Sequence, residues 1–279
     1  QHIFMAIEVI INKKDLKMTE KSNHLVALEK EEEVSLISLN DEGSFNSLSK
    51  NLLNELFEAL KEAEEDSSTK VIVLKGVGRG FSAGHNLKEV QENENESFYR
   101  ELLDCCKEVM IFLPNLNKPV IAEVHGVATA AGCQLVASCD LAYADTNTRF
   151  ATPGVNIGLF CHTPLVPVSR TIVKKHSMEM LLLGDLIDAT EAKRFGLIND
   201  VFGPEELHEK VMEVARVICS KSPYVLKMGK ETFYKQLDMD LEEAYEYATE
   251  RMIKNLKAED AKEGIDAFIN KRKPDWKNS

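Results

Sequence analysis

The sequence predicts an α/β fold with a helical final third, and three features carry that prediction. Short apolar runs closed by turn residues recur near 33–40, 71–74 and 119–124. Between them lie apolar residues at helical spacing, and strands alternating with helices indicate an α/β architecture. Beyond Pro164 the chain carries successive helical patterns.

Taken in order, residues 33–40 alternate imperfectly, with apolar side chains at 34, 36, 37 and 39, and run into Asn40-Asp41-Glu42-Gly43. This is a strand followed by a loop. Leu48, Leu52, Leu56, Leu60 and Ala63 then share one helical face, widened by Leu53 and Phe57 and capped by Ser47 or Ser49. Val71-Ile72-Val73-Leu74 feeds Gly76-Val77-Gly78-Arg79-Gly80, a buried strand opening into an irregular loop. A helix over 97–113 and a buried strand over 119–124 complete another unit. The small residues from Gly126 to Cys133 permit close approach of backbone or ligand, and a helix and a strand near 141–144 follow. Helices are expected over 165–174, 177–183, 189–195, 204–220, 223–236, 240–258 and 260–271. In the penultimate one, Leu241, Tyr245, Ala248, Met252 and Leu256 form a stripe, which more often packs on a chain's own core than on a partner.

Composition narrows the function classes. With 46 acidic against 34 basic residues the net charge is -12, which disfavours nucleic acid and anionic membranes as partners. No apolar stretch is long enough to span a bilayer, so no membrane span is expected. The six cysteines lack paired metal-ligand spacing and fit a reducing compartment. No metal site is expected. The first 21 residues contain no arginine and make a poor secretory signal or transit peptide, leaving the cytoplasm or the mitochondrial matrix as expected locations.

Two segments carry a resemblance. Gly76 to Val90, with Phe81-Ser82-Ala83-Gly84-His85-Asn86-Leu87-Lys88-Glu89 at its centre, resembles the F-x-A-G-x-D-L/I-K-E signature of the enoyl-CoA hydratase/isomerase (crotonase) family. His125-Gly126 through Gly132-Cys133-Gln134-Leu135, with Cys139-Asp140, resembles that family's V-x-G-x-A-x-G-G-G-x-E-L and C-D segments. Ser44-Phe45-Asn46-Ser47-Leu48, Asn117 to Ala122, Phe150-Ala151-Thr152-Pro153, Glu191 to Ile198 and Glu263 to Pro274 match in the family's order. His85, Gln134 and the run Ala151 to Asn156 point to one subgroup within it.

The resemblance implies a crotonase-like spiral of ββα units with a C-terminal helical trimerisation region. Residues 1–25 would be an N-terminal extension, 26–220 the acyl-CoA-binding core and 221–279 the oligomerisation region, giving a homotrimer or a dimer of trimers. It further implies acyl-CoA thioesters as ligands, with no cofactor beyond the coenzyme A of the substrate. The thioester oxygen would be held by an oxyanion hole of main-chain N–H groups, here Ala83 and Ala131. Ala131 stands where the family usually has glycine, tolerable only at negative φ. Contacts to the acyl-CoA are implied for Asn46, Ala83, Gly84, His85, Asn86, Ala131 and Lys271, the last within a Lys271-Arg272-Lys273 cluster.

Family hydratases use a pair of glutamates to position and deprotonate water and to deliver a proton; the matching positions are Gln134 and Gly154. An amide is no general base near neutral pH and glycine has no side chain, so the standard hydratase or isomerase route is not expected. His85 then stands as the remaining ionisable candidate in the catalytic set. A similar Ala-Gly-His sequence occurs in relatives resembling methylmalonyl-CoA decarboxylase, although Phe160 replaces the tyrosine found there. His125 reads as structural, and Cys161 with His162 are adjacent in sequence only. Three functions therefore stay open: an acyl-CoA-binding protein with altered or lost catalysis, an acyl-CoA lyase or decarboxylase using His85, and a non-enzymatic oligomeric scaffold.

Overall fold

The computed structural model describes residues 24–279. Most of the expected N-terminal extension lies outside the described residues. The chain begins with strands β1 (Val26–Glu31) and β2 (Val34–Leu39), followed by helix α1 (Lys50–Glu65), which Ser49 caps by accepting from the Leu52 N–H. Strand β3 (Val71–Gly76) leads through the 76–86 loop into α2 (Leu87–Glu92) and α3 (Glu96–Asn115). Next come β4 (Val120–Val124), β5 (Val127–Thr129), α4 (Ala131–Ser138), β6 (Leu141–Asp145) and β7 (Arg149–Ala151). After a 3-10 turn over Pro153–Ile157 the chain forms α5 (Leu165–Thr171), α6 (Lys174–Leu183), β8 (Ile187–Asp188), α7 (Ala189–Phe195) and β9 (Asp200–Phe202). It finishes with α8 (Leu207–Cys219), α9 (Pro223–Gln236), α10 (Leu241–Lys257) and α11 (Glu259–Ile269).

The main sheet has the order β1-β2-β3-β4-β6-β9. Only β1 and β2 pair antiparallel within it; the rest are parallel, in register Val34↔Val71, Ile72↔Val120, Ile121↔Leu141 and Tyr143↔Asp200. Burial on both faces explains the near-continuous apolar runs. Ile72 and Leu74 join the larger core with Leu52, Leu56 and Leu60 of α1 and Val109 of α3. Val71 and Val73 face the other way, against Val211, Met212 and Ala215 of α8. The same division explains the imperfect alternation of β2. Ile37 and Leu39 enter the first cluster and Val34 and Leu36 the second. The buried Ser35 hydroxyl bonds the Thr69 hydroxyl at 2.7 Å, so its polarity is met.

A second sheet, β5-β7-β8, stands at the C-terminal end of β4 and β6 and pairs Thr129 with Ala151. The succession β4-β5-α4, followed by β6-β7, is the expected ββα winding, and the α/β core is followed by the helical region. Strands β1, β5, β7, β8 and β9 were not expected from the sequence. Most are too short for periodicity to register, and β8 and β9 fall in the gaps between the expected helices.

The stripe on α10 does not pack on the chain's own core. Leu241 is 76% exposed and Tyr245 70%, and Met252 and Leu256 are also exposed. Phe268 and Ile269 of α11 are exposed as well.

Candidate functional site

The site forms where the 76–86 loop runs beside β5. The Phe81 N–H donates to the His125 carbonyl and the Ser82 N–H to that of Val127, and the Thr129 N–H returns to Ser82, so the loop is zipped to the strand. Below it, the buried Asn46 amide donates to the Val77 carbonyl (2.9 Å) and the Gly80 carbonyl (2.8 Å) while its Oδ1 accepts from the Asp41 N–H (2.8 Å). The Asn46 carbonyl accepts from the Ser82 hydroxyl at 2.8 Å. Asn46 is therefore a clamp on the loop, fully occupied by protein groups, and not the ligand contact that the resemblance implied.

Phe45 and Asn46 both have left-handed φ, 57° and 52°, which turns the Phe45 carbonyl toward the loop. The Ala83 N–H donates to it at 3.0 Å. This corrects the expectation that Ala83 supplies an oxyanion donor, because its N–H is already bonded. At the next positions the Gly84 carbonyl accepts from the Leu48 N–H (2.7 Å), and the His85 N–H has no acceptor among the described residues.

Gly84, at φ +89°, lies against the start of α4: a Cβ there would sit 3.0 Å from the Ala131 nitrogen and 2.9 Å from the Ala130 Cβ. Ala131 opens α4, a helix whose eight residues are all buried and whose N-terminus has no side-chain cap. Its N–H has no acceptor among the described residues. The φ of Ala131 is not positive, so alanine is tolerated there as expected. The unusual residue is Ala130, at φ 49° and ψ -119°, a conformation that favours glycine. Loop and helix thus bring the N–H groups of His85 and Ala131 to either side of the Gly84 contact.

The His85 Nδ1 lies 3.1 Å from the Leu48 carbonyl. A carbonyl only accepts, so Nδ1 carries the proton and Nε2 keeps a lone pair. That Nε2 is buried without a partner among the described residues. Burial lowers the pKa of the imidazole below the ordinary histidine value, outweighing the Leu48 carbonyl, which favours protonation. Gln134, one turn into α4, is 4% exposed, and its Oε1 is likewise unpartnered.

Gly154 is buried at the start of the 3-10 turn. Its φ is not left-handed; what requires glycine is space, since a Cβ would meet the Leu159 carbonyl oxygen at 2.7 Å and the Cys161 Sγ at 3.0 Å. Thr152, which sequence reasoning did not single out, is fully buried with an unpartnered hydroxyl beside this turn. No spacing marked it; it lies only within the matched Phe150-Ala151-Thr152-Pro153 run.

The other candidates sit elsewhere or are occupied. Asn86 caps α2, its Oδ1 accepting from the N–H groups of Lys88 and Glu89. The His125 Nε2 bonds the Gly78 carbonyl at 2.9 Å, a structural role, as expected. Cys161 is buried, which pushes its thiol pKa up. His162 is exposed and tilts against Phe160 at 5.3 Å. Lys271 is exposed beyond α11, and no hydrogen bond joins it to the loop or to α4. Arg272 is held by Glu263 (2.6 and 2.8 Å) and by Asp266, and that guanidinium lowers the Glu263 carboxyl to about 2. In the C-terminal basic cluster, the Arg272 charge is thus already paired.

Residues 29–279 match the Enoyl-CoA hydratase/isomerase family. Enoyl-CoA hydratase domain-containing protein 3, mitochondrial, of Mus musculus is 43% identical over 258 residues, covering 92% of this chain and 86% of its own. This is the subgroup to which His85, Gln134 and the run from Ala151 pointed. The crystal structure of the human protein of that name superposes with a TM-score of 0.88 at 43% identity, covering 91% of this chain and 100% of the other. That of an enoyl-CoA hydratase from Mycobacterium smegmatis gives 0.89 at 42% identity, covering 91% and 99%.

Proposed function

Because the chain belongs to the enoyl-CoA hydratase/isomerase family, we propose that it binds acyl-CoA thioesters with the thioester oxygen between the N–H groups of His85 and Ala131. One observation carries this reading. Helix α4 is buried along its whole length, yet its N-terminus lacks a side-chain cap and the Ala131 N–H has no acceptor among the described residues. A buried helix N-terminus is electropositive and needs an acceptor, and a thioester oxygen acquiring charge supplies one. The donors are main-chain groups, so they persist whatever side chains surround them.

The acid/base half of standard hydration has no equivalent here. The positions matching the family's glutamates hold Gln134, whose amide can orient water but not deprotonate it, and Gly154. The protein acts, on this reading, as an acyl-CoA-binding member of the family without efficient enoyl hydration. A lyase that uses His85 to meet an acyl carboxylate is the less favoured alternative, since the bare Nε2 of a neutral imidazole presents a lone pair, and no proton, to an anion. A purely structural scaffold would leave the free donors at His85 and Ala131 unexplained. The exposed apolar side chains of α10 and α11 support self-assembly, which the family resemblance makes a trimer or a pair of trimers, and the names of the relatives support a mitochondrial location.

Calorimetry with acetyl-CoA and acetoacetyl-CoA tests the binding. Saturable binding of both is expected; absence of heat from folded protein would overturn the reading.

A further inference from the structure

We propose that His85 sets the acyl specificity of this site: its Nε2 accepts a hydrogen bond from the ligand, so the site selects an acyl group bearing a hydroxyl beside the thioester over an unsubstituted or carboxylated one. This rests on the acyl-CoA reading given above and goes beyond it in naming the selecting residue and the polarity of its contact.

The imidazole belongs to the residue whose N–H is one of the free donors, so a single residue offers a donor from its backbone and an acceptor from its side chain. Its tautomer is fixed from behind by the Leu48 carbonyl, 3.1 Å from Nδ1. Nε2 is consequently an acceptor, and it is buried without a partner. Two further buried polar atoms near the same junction share that condition, Gln134 Oε1 and Thr152 Oγ1. Their elements are tied together where the Ala130 N–H, just before α4, donates to the Ala151 carbonyl at the end of β7 (2.9 Å). A hydroxyl donates to one such atom while accepting from the Gln134 amide or the Thr152 hydroxyl. A carboxylate offers only acceptors and would oppose its lone pairs to that of Nε2. Burial, which keeps the imidazole neutral, preserves this polarity near neutral pH. Because Nε2 is sealed from solvent, its contact with an acyl group requires the side chains that cover it to move aside.

The test compares 3-hydroxybutyryl-CoA, butyryl-CoA and malonyl-CoA by calorimetry at pH 8, with nitrogen NMR of 15N-histidine-labelled protein alongside. In the wild type the hydroxyacyl ester should bind about five- to tenfold more tightly than butyryl-CoA, the scale of one added hydrogen bond. Malonyl-CoA should bind more weakly than butyryl-CoA. His85→Phe should bring the hydroxyacyl-to-butyryl ratio near one, and His85→Gln, which keeps an acceptor, should restore part of it. The His85 Nε2 should resonate as a bare nitrogen and shift when the hydroxyacyl ester is added. A protonated Nε2 in the free protein, equal binding of the hydroxyacyl and butyryl esters, or tighter binding of malonyl-CoA each overturns the specificity while leaving acyl-CoA binding intact. Failure of all the esters to bind folded protein removes the acyl-CoA reading and the specificity with it.

Discussion

Gly84 packs so closely on Ala131 that a Cβ at position 84 would lie 3.0 Å from the Ala131 nitrogen. This contact sets the spacing between the free donor at the start of α4 and the one at His85. Gly84 also holds φ at +89°, which an L side chain adopts only under strain. Gly84→Ala should cost about 1–3 kcal/mol of stability and push the donors apart. Urea denaturation and calorimetry on one preparation should show both losses, with acyl-CoA affinity down at least tenfold. Unchanged affinity would mean that the donors are positioned by something else.

Asn46 distinguishes a clamp from a ligand contact. Its side chain satisfies the backbone of Asp41, Val77 and Gly80. Asn46→Ala leaves those groups without partners and should destabilise the protein by about 2–4 kcal/mol. A residue serving only the ligand would weaken binding at unchanged melting temperature. Thermal unfolding without ligand separates the two roles, and a variant as stable as wild type would return Asn46 to the ligand.

How much of this was legible in the sequence varies with physical cause. Runs such as Val71-Ile72-Val73-Leu74 announce themselves because both faces of the sheet are covered, and the α1 face shows because Leu52, Leu56 and Leu60 repeat at the helical period. The three-residue strands β5, β7 and β9 owe their conformation to partners distant in sequence, as when Tyr143 pairs with Asp200. The motif located the loop, but its free donor depends on the left-handed turn at Phe45 and Asn46. That turn directs a carbonyl at Ala83, and nothing in the residue types at 83 and 85 reports it. Thr152 was silent for a similar reason, since a threonine in a strand-to-turn junction is ordinary until its hydroxyl proves to be buried without a partner.

Ala130 holds φ 49° and ψ -119° at the entrance to α4, where glycine fits without strain. Ala130→Gly should remove that strain and give a net stabilisation of about 1 kcal/mol despite glycine's greater entropy in the unfolded chain. The midpoint of urea unfolding should rise. A drop would show that the methyl group's packing near Gly84 outweighs the backbone strain.

The uncovered apolar residues of α10 and α11 predict self-association. Sedimentation at micromolar concentration should give trimers or hexamers, and Tyr245→Glu with Phe268→Glu should shift the population toward monomer without loss of helical circular dichroism. Both side chains are exposed within the chain, so charge at these positions costs little inside the fold. A wild-type monomer would leave this surface to another partner.

Hydration of crotonyl-CoA should be negligible in the wild type, and restoring carboxylates should help at one position only. Gln134→Glu introduces a carboxyl of similar shape where Oε1 is already unpartnered, so it can meet a water held by the ligand. Burial will raise its pKa, making it a better proton carrier near neutral pH than an exposed glutamate and holding part of it protonated. A small measurable rate is expected from this variant. Gly154→Glu should add nothing, because its Cβ would sit 2.7 Å from the Leu159 carbonyl oxygen and force open a turn closed by the Leu159 N–H bond to the Gly154 carbonyl at 2.9 Å. The double variant should therefore be no faster than Gln134→Glu alone, and less stable. Absorbance of the enoyl thioester in protein free of host hydratase reads the rates directly. A double variant faster than the single would show that the 154–159 turn yields and the second carboxylate reaches the substrate. Wild-type turnover at the ~1–10³ s⁻¹ typical of enzymes would instead mean that proton transfer is carried by other groups, with His85 the first to replace.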